Sequence, residues 1–213
     1  MTYVIIDGRG IIPDRVTKID NSAFENCTRL ETIVIPDSVT LIEEAAFANC
    51  ENLKSIVIPD SVTEIGNLTF SDCRSLQSIE IPSSVKTIEA EAFSGYSSLE
   101  SIVIPDGVKT IEYSVFSGCT SLESIVIPDS VIAIDEWAFG GCYSLQSITI
   151  VTQEKDPDQS RERIEYLLQS LFEYPKEFYL KVPIGCGNAY RHHPAFDGKF
   201  VEIIAAKQIL KKR

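Results

Sequence analysis

Histidine occurs only twice in the 213 residues, as His192 and His193, and basic residues are outnumbered 31 to 19 by acidic ones. The net charge of −12 and the pI of about 4.6 argue against nucleic acid and anionic membrane as partners, since both need a basic surface. No apolar run approaches the roughly 20 residues that cross a bilayer, so no membrane insertion is expected. The first ten residues, MTYVIIDGRG, lack a basic start and a long apolar stretch, so no secretory signal is visible. The chain therefore reads as cytosolic, or as the mature or trimmed form of an exported protein. Gly185 and Gly187 are not followed by Lys-Ser/Thr, so they make no phosphate loop.

What the sequence does have is a period. IVIPDSV at 33–39 returns at 56–62 and 125–131, and as IVIPDGV at 102–108. Pro13, Pro36, Pro59, Pro82, Pro105 and Pro128 are each 23 residues apart, and Phe24 to Phe139 and Leu30 to Leu145 keep the same step. The unit is I-P-D-x-V-x-x-I-x-x-x-A-F-x-x-C-x-x-L-x-x-I-x, in six copies over 12–150. So short a unit cannot bury its own apolar face, and stacked units bury one between them. Ile33 and Ile35 stand two apart, which is strand spacing, and the proline after them ends the strand because it has no N–H for the ladder. Pro-Asp then favours a turn. The V-x-x-I segment is a second short extended piece. In-register repetition gives parallel sheets with rungs about 4.8 Å apart.

The unit resembles the BspA-like leucine-rich repeats, written at 122–148 as LESIVIPDSVIAIDEWAFGGCYSLQSI. The segment 180–204 is similar to the closing segment of that family, through Val182, Pro183, Gly185, Ala189, Tyr190, Phe200 and Ile203. The resemblance implies a non-enzymatic protein-binding module, commonly at a bacterial surface and linked to adhesion to host proteins, other bacteria or matrix. The fold expected is a β-rich solenoid, one domain in three stretches. An atypical cap rung covers 1–11, with Asp7 where the first repeat would need Leu. Six repeats cover 12–150, and a C-terminal capping segment covers 151–213. In that last stretch Ile164, Leu167, Leu168, Leu171 and Phe172 follow a helical stripe. Asp158 is the expected N-cap, Pro175 the stop, and the last rung the surface that the stripe covers. EFYLKVP and KFVEIIA read as capping strands around a short helix near 187–192, and AKQILKKR as a basic tail.

Five of the six cysteines, Cys27, Cys50, Cys73, Cys119 and Cys142, share one repeat position, where the fourth copy has Tyr96. Ladder neighbours stand further apart at Cβ than the roughly 3.8 Å a disulfide prefers, so these read as small buried residues with free thiols. A ladder also spreads ligands along a line, and Cys186 with the two histidines offers too few for zinc. Cys186 with His193 is the thiol–imidazole pair on which an enzyme reading rests; no orienting Asn or Asp stands at a recognisable spacing, and no catalytic role or cofactor is expected. The sequons at Asn26 and Asn67 fall on positions expected to be half-buried.

Two acidic columns recur. One is Asp14, Asp37, Asp60, Asp106 and Asp129, interrupted by Ser83; the other is Asp20, Glu43, Glu89, Glu112 and Asp135, interrupted by Gly66. The first is expected to close turns by bonding nearby backbone N–H groups, rather than to hold Ca²⁺. Ser83 and Gly66 are expected to relieve like-charge repulsion between rungs.

The candidate binding surface is what the strands turn outward. One column is Thr32, Ser55, Ser78, Ser101, Ser124 and Ser147. The next is Val34, Val57, Glu80, Val103, Val126 and Thr149. Strand propensity alone accounts for valine there; an apolar stripe for a protein partner accounts for it equally. A monomer is expected. The alternative function is an intracellular scaffold or regulatory repeat protein.

Overall fold

The computed structural model describes residues 3–171, 177–183, 186–194 and 202–205. The chain opens with a hairpin, β1 (Val4–Ile6) and β2 (Arg9–Ile11), paired antiparallel. Asp7 and Gly8 form its turn at φ 47° and 78°, the left-handed pair that a two-residue hairpin needs. The expected cap rung is thus a hairpin whose second strand starts the stack.

Each repeat then makes one coil with three sides. The I-x-I side gives β4 (Thr32–Val34), β6 (Ser55–Val57), β10 (Ser124–Ile127) and β12 (Ser147–Val151). The V-x-x-I side gives β3 (Lys18–Ile19), β5 (Leu41–Ile42), β7 (Glu64–Ile65), β8 (Thr87–Ile88), β9 (Thr110–Ile111) and β11 (Ala133–Ile134). All pairing between copies is parallel and in register, with Ile33 opposite Ile56 and Ile125 opposite Ile148. The third side is a run of turns held from rung to rung, as in Phe24 N–H to Ala46 O at 2.7 Å and Phe47 N–H to Thr69 O at 2.8 Å. That side needs left-handed backbone at Asn26, Asn49, Asp72, Gly95, Gly118 and Gly141, residue types that accept it readily.

Inside the coil the isoleucine, valine, leucine and phenylalanine columns are buried. The phenylalanine rings stack one per rung at 5.1–5.9 Å between centroids, and Tyr3 of the hairpin end closes the stack on Phe24 at 4.9 Å. Between the coil's first two sides, Pro13, Pro36, Pro59, Pro82, Pro105 and Pro128 each accept the N–H of the valine three residues on, at 3.0–3.1 Å. The aspartates do not close these turns. The proline carbonyl already does so, and the Asp37, Asp60 and Asp106 side chains are exposed. Asn26 and Asn67 are also exposed, not half-buried, because the turn side faces their side chains outward.

The stack has a weak junction. Residues 77–82 belong to no strand, so row 79–81 pairs with neither row 56–58 nor row 102–104. On the second side β8 and β9 end separate sheets. Only the turn side joins the copies fully there, through Glu91, Phe93 and Gly95 N–H to the carbonyls of Tyr113, Val115 and Ser117. The widest ring spacing, Phe93–Phe116 at 5.9 Å, spans the same place.

After β12 comes α1 (Pro157–Ser170), with Ile164, Leu167 and Leu171 buried against the last coil. Its N-cap is Asp156, whose carboxylate accepts Asp158 N–H at 3.0 Å. The proline at the first helical position has a fixed φ and no N–H, so the cap falls one residue before it and not on Asp158. Phe172, Pro175 and the tail 206–213 lie outside the described residues. β13 (Glu177–Val182) and β14 (Glu202–Ala205) add two parallel rungs beyond β12, with α2 (Gly187–Arg191) between them. Tyr190 is buried; its hydroxyl lies 2.9 Å from Ser160 Oγ and donates to Glu154 O at 2.8 Å, tying the closing segment to α1. Among the described residues no helix is long and apolar enough to cross a membrane.

Candidate functional site

Strand alternation turns the outward columns to solvent as the sequence requires. Val34, Val57, Val103 and Val126 are 64%, 53%, 70% and 45% exposed. Ser55, Ser78, Ser101, Ser124 and Glu80 are exposed, while Thr32, Ser147 and Thr149 are half-buried. The register aligns Thr32 with Ser55, Val34 with Val57, Ser124 with Ser147 and Val126 with Thr149. The apolar column also runs further than the repeats alone suggest. Ile11 stands 23 residues before Val34 and is 47% exposed. Val4 lies opposite Ile11 in the hairpin and is 45% exposed. The period contained the signal for Ile11; nothing periodic marked Val4. At the other end Thr149 lies beside Tyr179 of β13, reached after 30 residues because α1 is inserted between the rungs.

At the unpaired row the face opens into a groove of about 690 Å³, lined by Val57, Glu80 and Val103 and rimmed by Asp37, Asp60, Ser83 and Asp106. The turn-aspartate column thus borders the groove. Its last member differs: Asp129 lies 3.6 Å from the Arg163 guanidinium of α1. Arg163 also donates to Val131 O at 2.7 Å, Pro128 O at 2.9 Å and Val151 O at 3.1 Å. Burial lowers its pKa, and Asp129 opposes that shift.

The second acidic column does structural work. Glu43 accepts Asn21 N–H at 3.2 Å and Glu89 accepts Asn67 N–H at 3.0 Å, so each carboxylate holds the turn of the copy before it. Lys18 pairs with Glu43 and Asp20 at 3.0 and 3.4 Å. Gly66 has a steric reason to be glycine: a Cβ there would meet Glu43 C and Glu44 N at 3.0 Å. Glu112 is raised above the ordinary carboxylate value by burial, then by the neighbouring Asp135. A raised carboxylate costs stability once ionised, so that cost appears as pH rises above its unfolded value. Glu112→Gln should raise the melting temperature by roughly 1–2 °C at about pH 7 and leave it unchanged near pH 3.5. A gain of equal size at both pH values would show that ionisation is not the cause. Among the described residues no group of three or more His, Cys, Asp or Glu is placed to hold a metal.

The column cysteines are more than fillers. Cys50, Cys73, Cys119 and Cys142 each donate to the phenylalanine carbonyl of the preceding coil, at 3.0–3.4 Å. Burial pushes Cys50 up to about 12 and Cys73 higher still, which keeps these two thiols neutral and unreactive. Cys186 is the N-cap residue of α2, and His193 follows its C-cap, His192. His193 Nε2 lies 3.1 Å from Asp158 Oδ1, an acidic partner that no sequence spacing revealed.

The comparisons agree with this geometry. A model of the BspA type leucine rich repeat region matches in six copies over residues 10–122 and 86–164, more than half of the chain. No curated protein matches. Among solved structures, the leucine rich repeat protein of T. pallidum is 29% identical at a TM-score of 0.58, covering 68% of this chain and 73% of that one. A leucine-rich repeat protein from Eubacterium ventriosum is 27% identical at 0.58, covering 72% and 44%. The pneumococcal vaccine antigen PcpA shares the fold at 0.67 with 21% identity, over 97% of this chain and 48% of its own. The period, the parallel coils and the matching family model together make this chain a member of the BspA-type leucine-rich repeat family, a fold of protein-interaction modules.

Proposed function

We propose that the chain is a non-enzymatic binding module acting at a bacterial surface, where it holds a host, matrix or neighbouring bacterial protein. The observation that carries this reading is the outward column from Val4 and Ile11 through Val34, Val57, Val103 and Val126, each 45–70% exposed. An exposed apolar strip of this length, broken only at Glu80, is uncommon on a sheet face unless a partner covers it. The flanking hydroxyls of Thr32, Ser55, Ser78, Ser101, Ser124 and Ser147 supply polar contacts at the edge of such an interface.

The test is a binding screen against matrix and host surface proteins, with wild type beside a variant carrying Val57→Lys, Val103→Lys and Val126→Lys. Circular dichroism first shows that both are folded. Wild type should bind a ligand, and the variant should lose at least about tenfold in affinity, since three buried cations oppose an apolar contact. If both bind alike, or neither binds any protein in the screen, the column is strand chemistry only. A second reading, an intracellular scaffold, draws on the free thiols of the column, which suit a reducing compartment. Fractionation of the native cells separates the two.

A further inference from the structure

We infer that the groove over the unpaired row binds an extended peptide segment carrying arginine between apolar residues. This inference rests on the binding-module reading and names the partner's chemistry. Three observations converge on it. Val57 and Val103 give the groove apolar walls, and Glu80 stands between them where the other copies of that column have valine or threonine. Asp37, Asp60 and Asp106 put three more carboxylates on the rim. None of the four acids is in an ion pair or side-chain hydrogen bond among the described residues. Lys86, whose ammonium lies beside Gly107, donates to Ser83 O at 3.1 Å. Row 79–81, finally, has no ladder partner on either side, which leaves backbone carbonyls without strand hydrogen bonds under the groove.

The chain itself shows which cation suits such a rung. At the last coil Arg163 lies against Asp129 while donating to three backbone carbonyls. The guanidinium has five donors in a planar fork and serves a carboxylate and several carbonyls together; an ammonium is a point charge and does not. At Glu80 the same two acceptor types are present without a cation. A partner whose arginine enters there, with apolar neighbours on Val57 and Val103, satisfies both the charge and the apolar walls.

Fluorescence anisotropy with a short labelled peptide of alternating valine and arginine tests the inference. Lysine, citrulline and glutamate versions of the peptide serve as comparisons. The arginine peptide should bind at least about tenfold tighter than the glutamate and citrulline peptides, and severalfold tighter than the lysine one. Glu80→Gln and Glu80→Val should each weaken it about tenfold; the valine is the residue this column holds elsewhere, so the fold is kept. Glu136→Gln, an exposed acid on the turn side, should leave affinity unchanged. Equal binding of the arginine and glutamate peptides, or indifference to Glu80, overturns the inference. An equal loss for Glu136→Gln would reduce it to attraction by net charge and overturn it as well. The screen with the lysine variants answers separately, so a valine-dependent protein ligand with no arginine preference would leave the binding module standing and this site refuted.

Discussion

Replacing Arg163 with methionine should lower the stability of the chain by about 2–4 kcal/mol, although the side-chain volume is nearly kept. The reason lies in how each coil ends. Ser38, Ser61 and Ser84 hydroxyls donate to the carbonyls of Val16, Val39 and Val62, so three rungs satisfy the valine of the rung before; the fifth copy has Gly107 at that position, and Ser130 Oγ of the sixth has no partner among the described residues. After the sixth copy no such serine follows. Arg163 takes its place on Val131 O, and reaches Pro128 O and Val151 O with its remaining donors. A hydrogen bond from a charged donor contributes about 1.5–3 kcal/mol, and a half-buried carbonyl left empty costs about 1–3 kcal/mol. The guanidinium gives back part of this through its own burial, which keeps the total below the sum. Urea denaturation measures the loss, and hydrogen exchange should show protection falling first in β12 and α1. Lysine at the position should recover less than half, because it cannot reach three carbonyls at once. A loss under about 0.5 kcal/mol would show that solvent or neighbouring groups replace the arginine without cost.

That residue shows where sequence reading stops. The amphipathic stripe on α1 was legible from Ile164, Leu167 and Leu171, because apolar spacing reports burial directly. Arg163 was not, because its acceptors are backbone carbonyls 12 to 35 residues away and any residue has a carbonyl. The inward columns were legible for the same reason as the stripe: Ile33, Leu30 and Phe24 repeat because one core runs through every coil. The outward columns follow from alternation; the period also carried the signal for Ile11, which a repeat count starting at residue 12 leaves out. The groove was hidden. Glu80 and Tyr96 mark departures from the repeat, yet neither says that the strand beside them loses its pairing. The role of the turn aspartates was misjudged because the proline carbonyl closes each turn unaided. Half of the turn geometry could be read from Asn, Asp and Gly at 26, 49, 72, 95, 118 and 141. The other left-handed column, Ser22, Ala45, Leu68, Glu91, Ser114 and Trp137, carries no such signature.

The weak junction leads to the largest expected effect. Phe93→Ala should cost about 3–5 kcal/mol and split unfolding into two transitions. Phe93 is fully buried, stacked on Phe70 at 5.6 Å and Phe116 at 5.9 Å, with Tyr96 edge-on at 6.1 Å. Its removal leaves a cavity in the core, and the cost grows with that cavity. In a repeat stack stability is a sum of coil terms and nearest-neighbour interfaces, so where the loss falls matters as much as its size. Between the coils of Phe93 and Phe116 two of the three sides already lack paired strands. The ring stack and the turn-side hydrogen bonds carry the coupling there. Without the ring, the coils before residue 96 and those after residue 100 should melt separately. Phe47→Ala is the contrast. Its row is flanked by the β4–β6 and β5–β7 pairings, so it should lose similar stability in a single transition. Urea melts followed by far-ultraviolet dichroism and by hydrogen exchange of each half give the answer. Coincident curves for Phe93→Ala would mean that the apolar contact across the junction, not the ring and its ladder, holds the two halves together.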